Sequence, residues 1–190
     1  MTTGTPVGSR RPVLITERPG VLLEPWAPEH REMLVLEAND ERVPVYMSNL
    51  FPNPYTATDA DWWIARCAAE DPPVNYAIVV DREVAGGVGA VLQEDIHSGT
   101  AELGWWVGTR WWRRGITAVA VRGLIRYCFG DLDLHRVQAG VMVPNRASVR
   151  VAEKVGLNLE GVAKESYLKR GERLDSLLYG LTRSDWADSV

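Results

Sequence analysis

The sequence predicts an α/β (α+β) domain in which strands and helices share one core. Three observations carry this. Residues 101–118, AELGWWVGTRWWRRGITA, run from an apolar strand through a loop with two adjacent arginines and a glycine into the first turn of a helix. Two apolar-turn-apolar patterns surround Asp81-Arg82-Glu83 and Lys169-Arg170-Gly171, as hairpins do. Directly after the arginine loop, Ile116, Val119, Ala120, Gly123, Leu124, Tyr127 and Cys128 recur at helical spacing.

With 190 residues, 46% of them apolar, the chain is long enough for one well-filled core and too short to expect two. Residues 1–12, rich in Thr, Gly, Pro and Arg, read as a mobile leader, and 13–190 as one domain. A net charge of −4 argues against a general polyanion binder, so no direct contact with nucleic acid is expected. Cys67 and Cys128 belong to no CxxC or Cys/His set, which fits a reducing cytoplasm and no metal. Arg or Gly breaks every apolar run short of bilayer length, so no membrane span is expected.

Taken in order, 13–15 and 21–23 read as short strands around the Pro19-Gly20 turn. Pro28 opens a helix over 28–39 with Met33, Leu34 and Leu36 on one side. Three prolines make 43–55 an irregular loop, suited to a substrate lid. Thr58 and Asp61 form a loose capping box for a helix reaching Glu70. Its Trp62 and Trp63 pack on one side and are partly exposed on the other, or else wall an acceptor pocket. Residues 76–80 and 84–92 form a hairpin whose glycines at 86, 87 and 89 imply close backbone contact or a bulge. After a polar loop, 101–107 is the central strand; period two puts Glu102, Gly104 and Trp106 on one face and Leu103, Trp105 and Val107 on the other. A strand over 134–143 stops at Pro144, Asn145 caps a helix over 146–155, and Gly156 sits just past its end. The chain closes with a hairpin of 158–168 and 173–181. His135 and Arg136 read as structural or surface residues, and His30 and His97 as solvent-side residues.

Chemistry concentrates after the central strand. A strand feeding a glycine-bearing helix start leaves several N–H groups unpaired and pointing one way, which suits a pyrophosphate, and Arg113 and Arg114 add positive charge there. The chain has no GxSxG motif and no cysteine with a histidine placed beside it, so no covalent enzyme intermediate is expected.

The motifs ELGWWVG, RRGITA, LHRVQAGVMVPNRAS and VAEKVGLNLEG resemble the GNAT N-acetyltransferase superfamily, and within it the RimJ/RimL-like enzymes that acetylate protein N-termini. With the closing hairpin they span about half the chain in the family's order. The resemblance implies a mixed, mostly antiparallel sheet splayed in the middle and flanked by helices, a GNAT domain over 13–190. It implies acetyl-CoA as acyl-donor co-substrate, held by Trp106, Val107, Arg113, Arg114, Gly115, Ile116, Thr117, Ala118 and Asn145. By the same resemblance a backbone N–H near Val107 polarises the thioester, Glu102 is the base, and Ser148 hydrogen-bonds or protonates the departing thiolate. The chain departs from the family pattern at Trp112, Thr117 and Val119.

For Glu102 the residues alone leave a salt bridge to a sheet neighbour open, and for Ser148 a plain place in the first turn after an Asn145 cap. The leading acceptor is a protein N-terminal α-amine, ribosomal or other. The alternatives are acetylation or succinylation of a small-molecule amine, with Arg110 or Arg136 candidates for a succinyl carboxylate, and a non-catalytic CoA-binding module. Edge strands also invite a homodimer.

Overall fold

The computed structural model describes residues 11–187; residues 1–10 of the expected leader lie outside the described residues. Eight strands form one sheet in the order β1-β2-β3-β4-β5-β6-β8-β7: β1 Leu14–Ile15, β2 Val21–Pro25, β3 Asn75–Val80, β4 Glu83–Leu92, β5 Thr100–Val107, β6 Arg136–Met142, β7 Asn158–Lys169 and β8 Glu172–Thr182. Every neighbouring pair is antiparallel except β5–β6. The helices are α1 Arg31–Ala38, α2 Ala57–Ala68, α3 Ile116–Gly130, α4 Arg146–Lys154 and a short α5 Arg183–Ala187.

The alternation of the strands sorts two cores onto the two faces. On one face α3 and α4 bury Leu124, Ile125 and Ala152 against Leu23, Ile78, Leu103, Val137 and Val141. On the other, α1 and α2 bury Leu34, Ala60 and Ile64 against Trp26, Ala77 and Val79. That second layer covers only the β2–β5 half of the sheet. Over β6–β8 the same face is open, and Leu178 stands exposed on it.

Several expectations are corrected. Residues 28–39 divide into a 3-10 turn, Pro28–His30, and α1; Leu34 is buried, but Leu36 points outward. The capping box of α2 is Thr56 with Asp59, two residues before Thr58 with Asp61, because Asp61 is held 2.6 Å from Arg31 Nε. The helix stops at Ala68 rather than Glu70. His30 is buried, with its Nδ1 accepting from Ala27 N–H and its Nε2 3.3 Å from Glu24 Oε2. Trp62 is largely exposed, and Trp63 packs half-buried on the second core.

Arg11 falls within the expected leader, yet its guanidinium donates to the carbonyls of Cys67, Ala68 and Glu70, each at 2.6 Å. These carbonyls belong to the last turn of α2 and the residues just past it, where helical bonding runs out. Arg11→Ala is therefore expected to lower unfolding stability by about 1 kcal/mol, read from a denaturant titration at unchanged slope.

Both thiols are buried, and burial pushes each up to about 12. At pH 8 they stay protonated and shielded. Iodoacetamide should leave Cys67 and Cys128 unmodified in the folded protein and alkylate both once it is unfolded, as read by intact mass.

Candidate functional site

The site begins where two parallel strands part. β5 and β6 share only three register pairs, Thr100 with Arg136, Ala101 with Val137 and Glu102 with Gln138. Beyond them β5 stays paired to β4 as far as Val107, while β6 stays paired to β8. Bonds from Gln93 N–H to Thr100 C=O and from Gly108 N–H to Ala85 C=O fix which backbone groups of β5 serve β4. Those of Glu102, Gly104 and Trp106 do, so Trp105 and Val107 aim theirs into the gap. From β6, Gly140 and Met142 face the same gap, and the Met142 carbonyl is taken by Asn145 N–H. The indole of Trp112 donates to the Val107 carbonyl at 3.0 Å. Among the described residues the ladders give the Val107 N–H no strand partner, so it stands as a donor in the split.

At the end of this gap lies the N-terminus of α3. Arg113 and Gly115 both take left-handed backbone, φ 60° and 75°. For Gly115 that conformation is free of strain; for arginine it is not. The pair of left-handed residues turns the loop sharply, and the Arg114 carbonyl is directed away to the Arg18 guanidinium at 2.8 Å. The first helical bond at this end runs from Val119 N–H to Gly115 C=O. No side chain caps α3, so among the described residues the N–H groups of Ile116, Thr117 and Ala118 have no acceptor. Charge surrounds them: Arg113 and Arg114 are exposed, and Lys154 Nζ lies 3.8 Å from where a Cβ on Gly115 would sit. A strong helix dipole end, free donors and nearby cations make an anion site suited to pyrophosphate.

The neighbouring helix behaves differently. Asn145 caps α4, its Oδ1 accepting from Ser148 N–H at 3.2 Å and its Nδ2 donating to Ser148 Oγ at 3.0 Å. The amide thus occupies one lone pair of the Ser148 hydroxyl and leaves its proton free to donate. Ser148 is half-buried in the first turn of α4, shortly after β6 ends at Met142.

On the open face the split widens into a cleft of about 440 Å³ whose walls include Glu102, Arg136, Gln138, Gly140, Tyr167 and Leu178. Glu102 is exposed and makes no ion pair among the described residues, so the salt bridge left open for it does not form there. Of the structural and surface roles expected for Arg136, the structure shows a structural one. It grips Glu160 with two bonds, 2.8 and 2.5 Å, and these hold Glu160 below the usual carboxylate range. Arg110 is paired with Glu37 and Glu83. Neither arginine thus offers a free guanidinium to a succinyl carboxylate.

The 43–55 loop arches toward the closing hairpin. Asn49 Nδ2 donates to Leu168 C=O at 2.9 Å, and the buried Lys169 ammonium donates to Met47 C=O at 2.6 Å. Burial lowers the Lys169 pKa. Phe51 fills the space between Tyr55 and Trp106, with ring centroids 5.3 and 5.7 Å away. Trp106 therefore belongs to the second core beside this loop, while Val107 belongs to the split. Trp62 and Trp63 do not line the cleft.

The residues missed from sequence are Glu160 and Tyr167. Tyr167 reaches the cleft through a break in β7–β8 register between Ala163 and Tyr167, which alternation alone does not reveal. The one local hint was the small, polar run Ala163 to Ser166, unlike the strand on either side of it.

Residues 21–158 match the acetyltransferase (GNAT) domain family. YdaF of Bacillus subtilis strain 168, a protein named as a ribosomal N-acetyltransferase, is 28% identical over 87% of this chain and 91% of its own length. The ribosomal protein uS5-alanine N-acetyltransferase of Escherichia coli K12 is 33% identical over 44% of this chain and 43% of its own. The structure of Mycobacterium smegmatis RimJ with CoA-disulfide superimposes with a TM-score of 0.75 at 21% identity, over 87% of this chain and 83% of that one. No helix among the described residues is long and apolar enough to cross a membrane. The split sheet, the open start of α3 and these matches agree: the chain belongs to the GNAT family and is an N-acetyltransferase that uses acetyl-CoA.

Proposed function

We propose that the chain acetylates a protein N-terminal α-amine by direct transfer, with Glu102 as base. The observation that carries this reading is an unpaired carboxylate at the root of the split, on the open face. From there it reaches a substrate that enters the cleft. In this reading the N–H groups of Arg113, Arg114, Gly115, Ile116, Thr117 and Ala118 hold the pyrophosphate, and the edge of Val107 and the Asn145 turn border the pantetheine arm, whereas Trp106, expected there from sequence, faces β4 and the second core instead. Bound there, acetyl-CoA supplies a thioester carbonyl already activated toward amines.

Glu102 takes a proton from the acceptor ammonium. The Val107 N–H donates to the carbonyl oxygen as negative charge builds on it, and such a preformed donor contributes about 3–4 kcal/mol. Nitrogen bonds to the acyl carbon and the C–S bond breaks; the second proton that nitrogen sheds as the amide forms ends on the departing sulfur, the Ser148 hydroxyl either hydrogen-bonding that sulfur or relaying the proton by giving up its own and taking the one from nitrogen. The basicity of the acceptor selects an α-amine over a lysine. At about 8, against about 10.4, its pKa lies within easier reach of an exposed carboxylate or of water. The ribosomal names of YdaF and the uS5-alanine enzyme support the same acceptor class.

The test is acetyl transfer from acetyl-CoA to trialanine amide and to an Nα-blocked lysine peptide, followed by mass spectrometry. The α-amine should be acetylated and the lysine left free. Faster transfer to lysine than to the α-amine would overturn the assignment.

A further inference from the structure

We propose that Tyr167 is the acceptor-positioning residue of the cleft, its hydroxyl donating to the carbonyl of the acceptor's first residue. This rests on the N-terminal α-amine reading and gives that reading a requirement: the acceptor must carry a carbonyl next to its amine-bearing carbon.

The fold brings Tyr167 there by a specific local device. In the β7–β8 ladder, Ala163 is opposite Ser176 and Tyr167 is opposite Leu174, so three residues of β7 intervene where β8 has one. Glu165, inside this bulge, takes left-handed backbone at φ 48°, and its N–H is held by Asp175 Oδ1 at 2.9 Å. The bulge bends the end of β7 over the open face. Lys169 and Leu168 then clip that end to the 47–49 stretch of the loop.

The result is that the Tyr167 hydroxyl lies directly on the backbone of Gly140, where any Cβ would collide with it. Gly140 is the β6 residue whose backbone faces the gap just past the last β5–β6 pair. Glu102 stands at that last pair on β5, on the same face, and both residues line the one cleft.

The two groups are complementary. Glu102 is a carboxylate that can only accept. Tyr167 has a hydroxyl with no partner among the described residues, so its proton is free to be donated. An acceptor followed by a donor across the two lips matches an ammonium followed by a carbonyl, which is the start of a peptide. The other strong donor of the cleft, the Arg136 guanidinium, is already committed to Glu160.

The experiment compares Tyr167→Phe and Gly140→Ala with the native protein, using trialanine amide and isopropylamine as acceptors. Isopropylamine keeps the branched carbon and lacks the carbonyl. Native protein should prefer the peptide. Tyr167→Phe should lower kcat/KM for trialanine amide about tenfold, mainly through KM, the size expected for one neutral hydrogen bond. It should leave isopropylamine and the KM of acetyl-CoA unchanged. Gly140→Ala, which displaces the ring, should reproduce the peptide defect, and the double variant should add nothing further. Equal losses on both acceptors, or no loss on either, would overturn the role of Tyr167 while leaving the α-amine reading intact. Native protein that acetylates isopropylamine as well as the peptide overturns the carbonyl requirement alone. Native protein that acetylates neither overturns both readings, and thermal stabilisation by acetyl-CoA then separates a wrong acceptor from a misfolded sample.

Discussion

Glu102→Gln is expected to lower kcat toward trialanine amide by about 100-fold or more at pH 7, with the stabilisation by acetyl-CoA unchanged. The substitution keeps size and polarity and removes only the basic oxygen. Among the described residues no other carboxylate of the cleft is free to stand in for it: Glu160 is fastened to Arg136, which lowers its basicity. Raising the pH past about 8 should recover part of the lost rate, because the α-amine then arrives already neutral. A variant within threefold of the native rate at pH 7 would show that water performs the deprotonation.

The second large effect is on the acyl donor. Gly115→Val should weaken acetyl-CoA binding at least tenfold, in calorimetry or in the thermal shift that the ligand induces. A β-branched residue is poorly tolerated at φ 75°, and the strain should also cost the free protein about 1–3 kcal/mol. Relief of that strain would tilt the N–H groups of Ile116, Thr117 and Ala118 out of convergence. Unchanged affinity would mean that these donors do not meet the phosphates, and that Arg113, Arg114 and Lys154 hold them by charge alone.

Much of this architecture is legible in the sequence because it is local. The apolar strand, the glycine with its flanking arginines and the helical period after it occupy one short stretch, and the structure places β5, the turn and α3 there. Asn145 as a cap and Gly156 just past α4, at φ 90°, follow from the same short-range chemistry. What stayed hidden is long-range. The partners Arg136 and Glu160, and the meeting of Tyr167 with Gly140, depend on which strands become neighbours and on a bulge that shifts the register. The capping box of α2 shows a different limit: two Thr-x-x-Asp pairs overlap in sequence, and the choice between them was made by Arg31, on another helix. His30 reads as a solvent residue until Glu24 and Trp26 are seen around it.

The three register pairs between β5 and β6 have a mechanical meaning. Among the described residues they are the only ladder that joins the two halves of the sheet, so the free protein is two stiff plates on a short hinge, backed by α3. A ligand lying in the gap would bridge the plates and act as a removable strut. Slow amide exchange should then spread, on acetyl-CoA binding, from the β2–β4 plate into Trp105, Val107 and Gly140. The enzyme would be most rigid just when it must hold two substrates in line, and loosest between turnovers, when product has to leave.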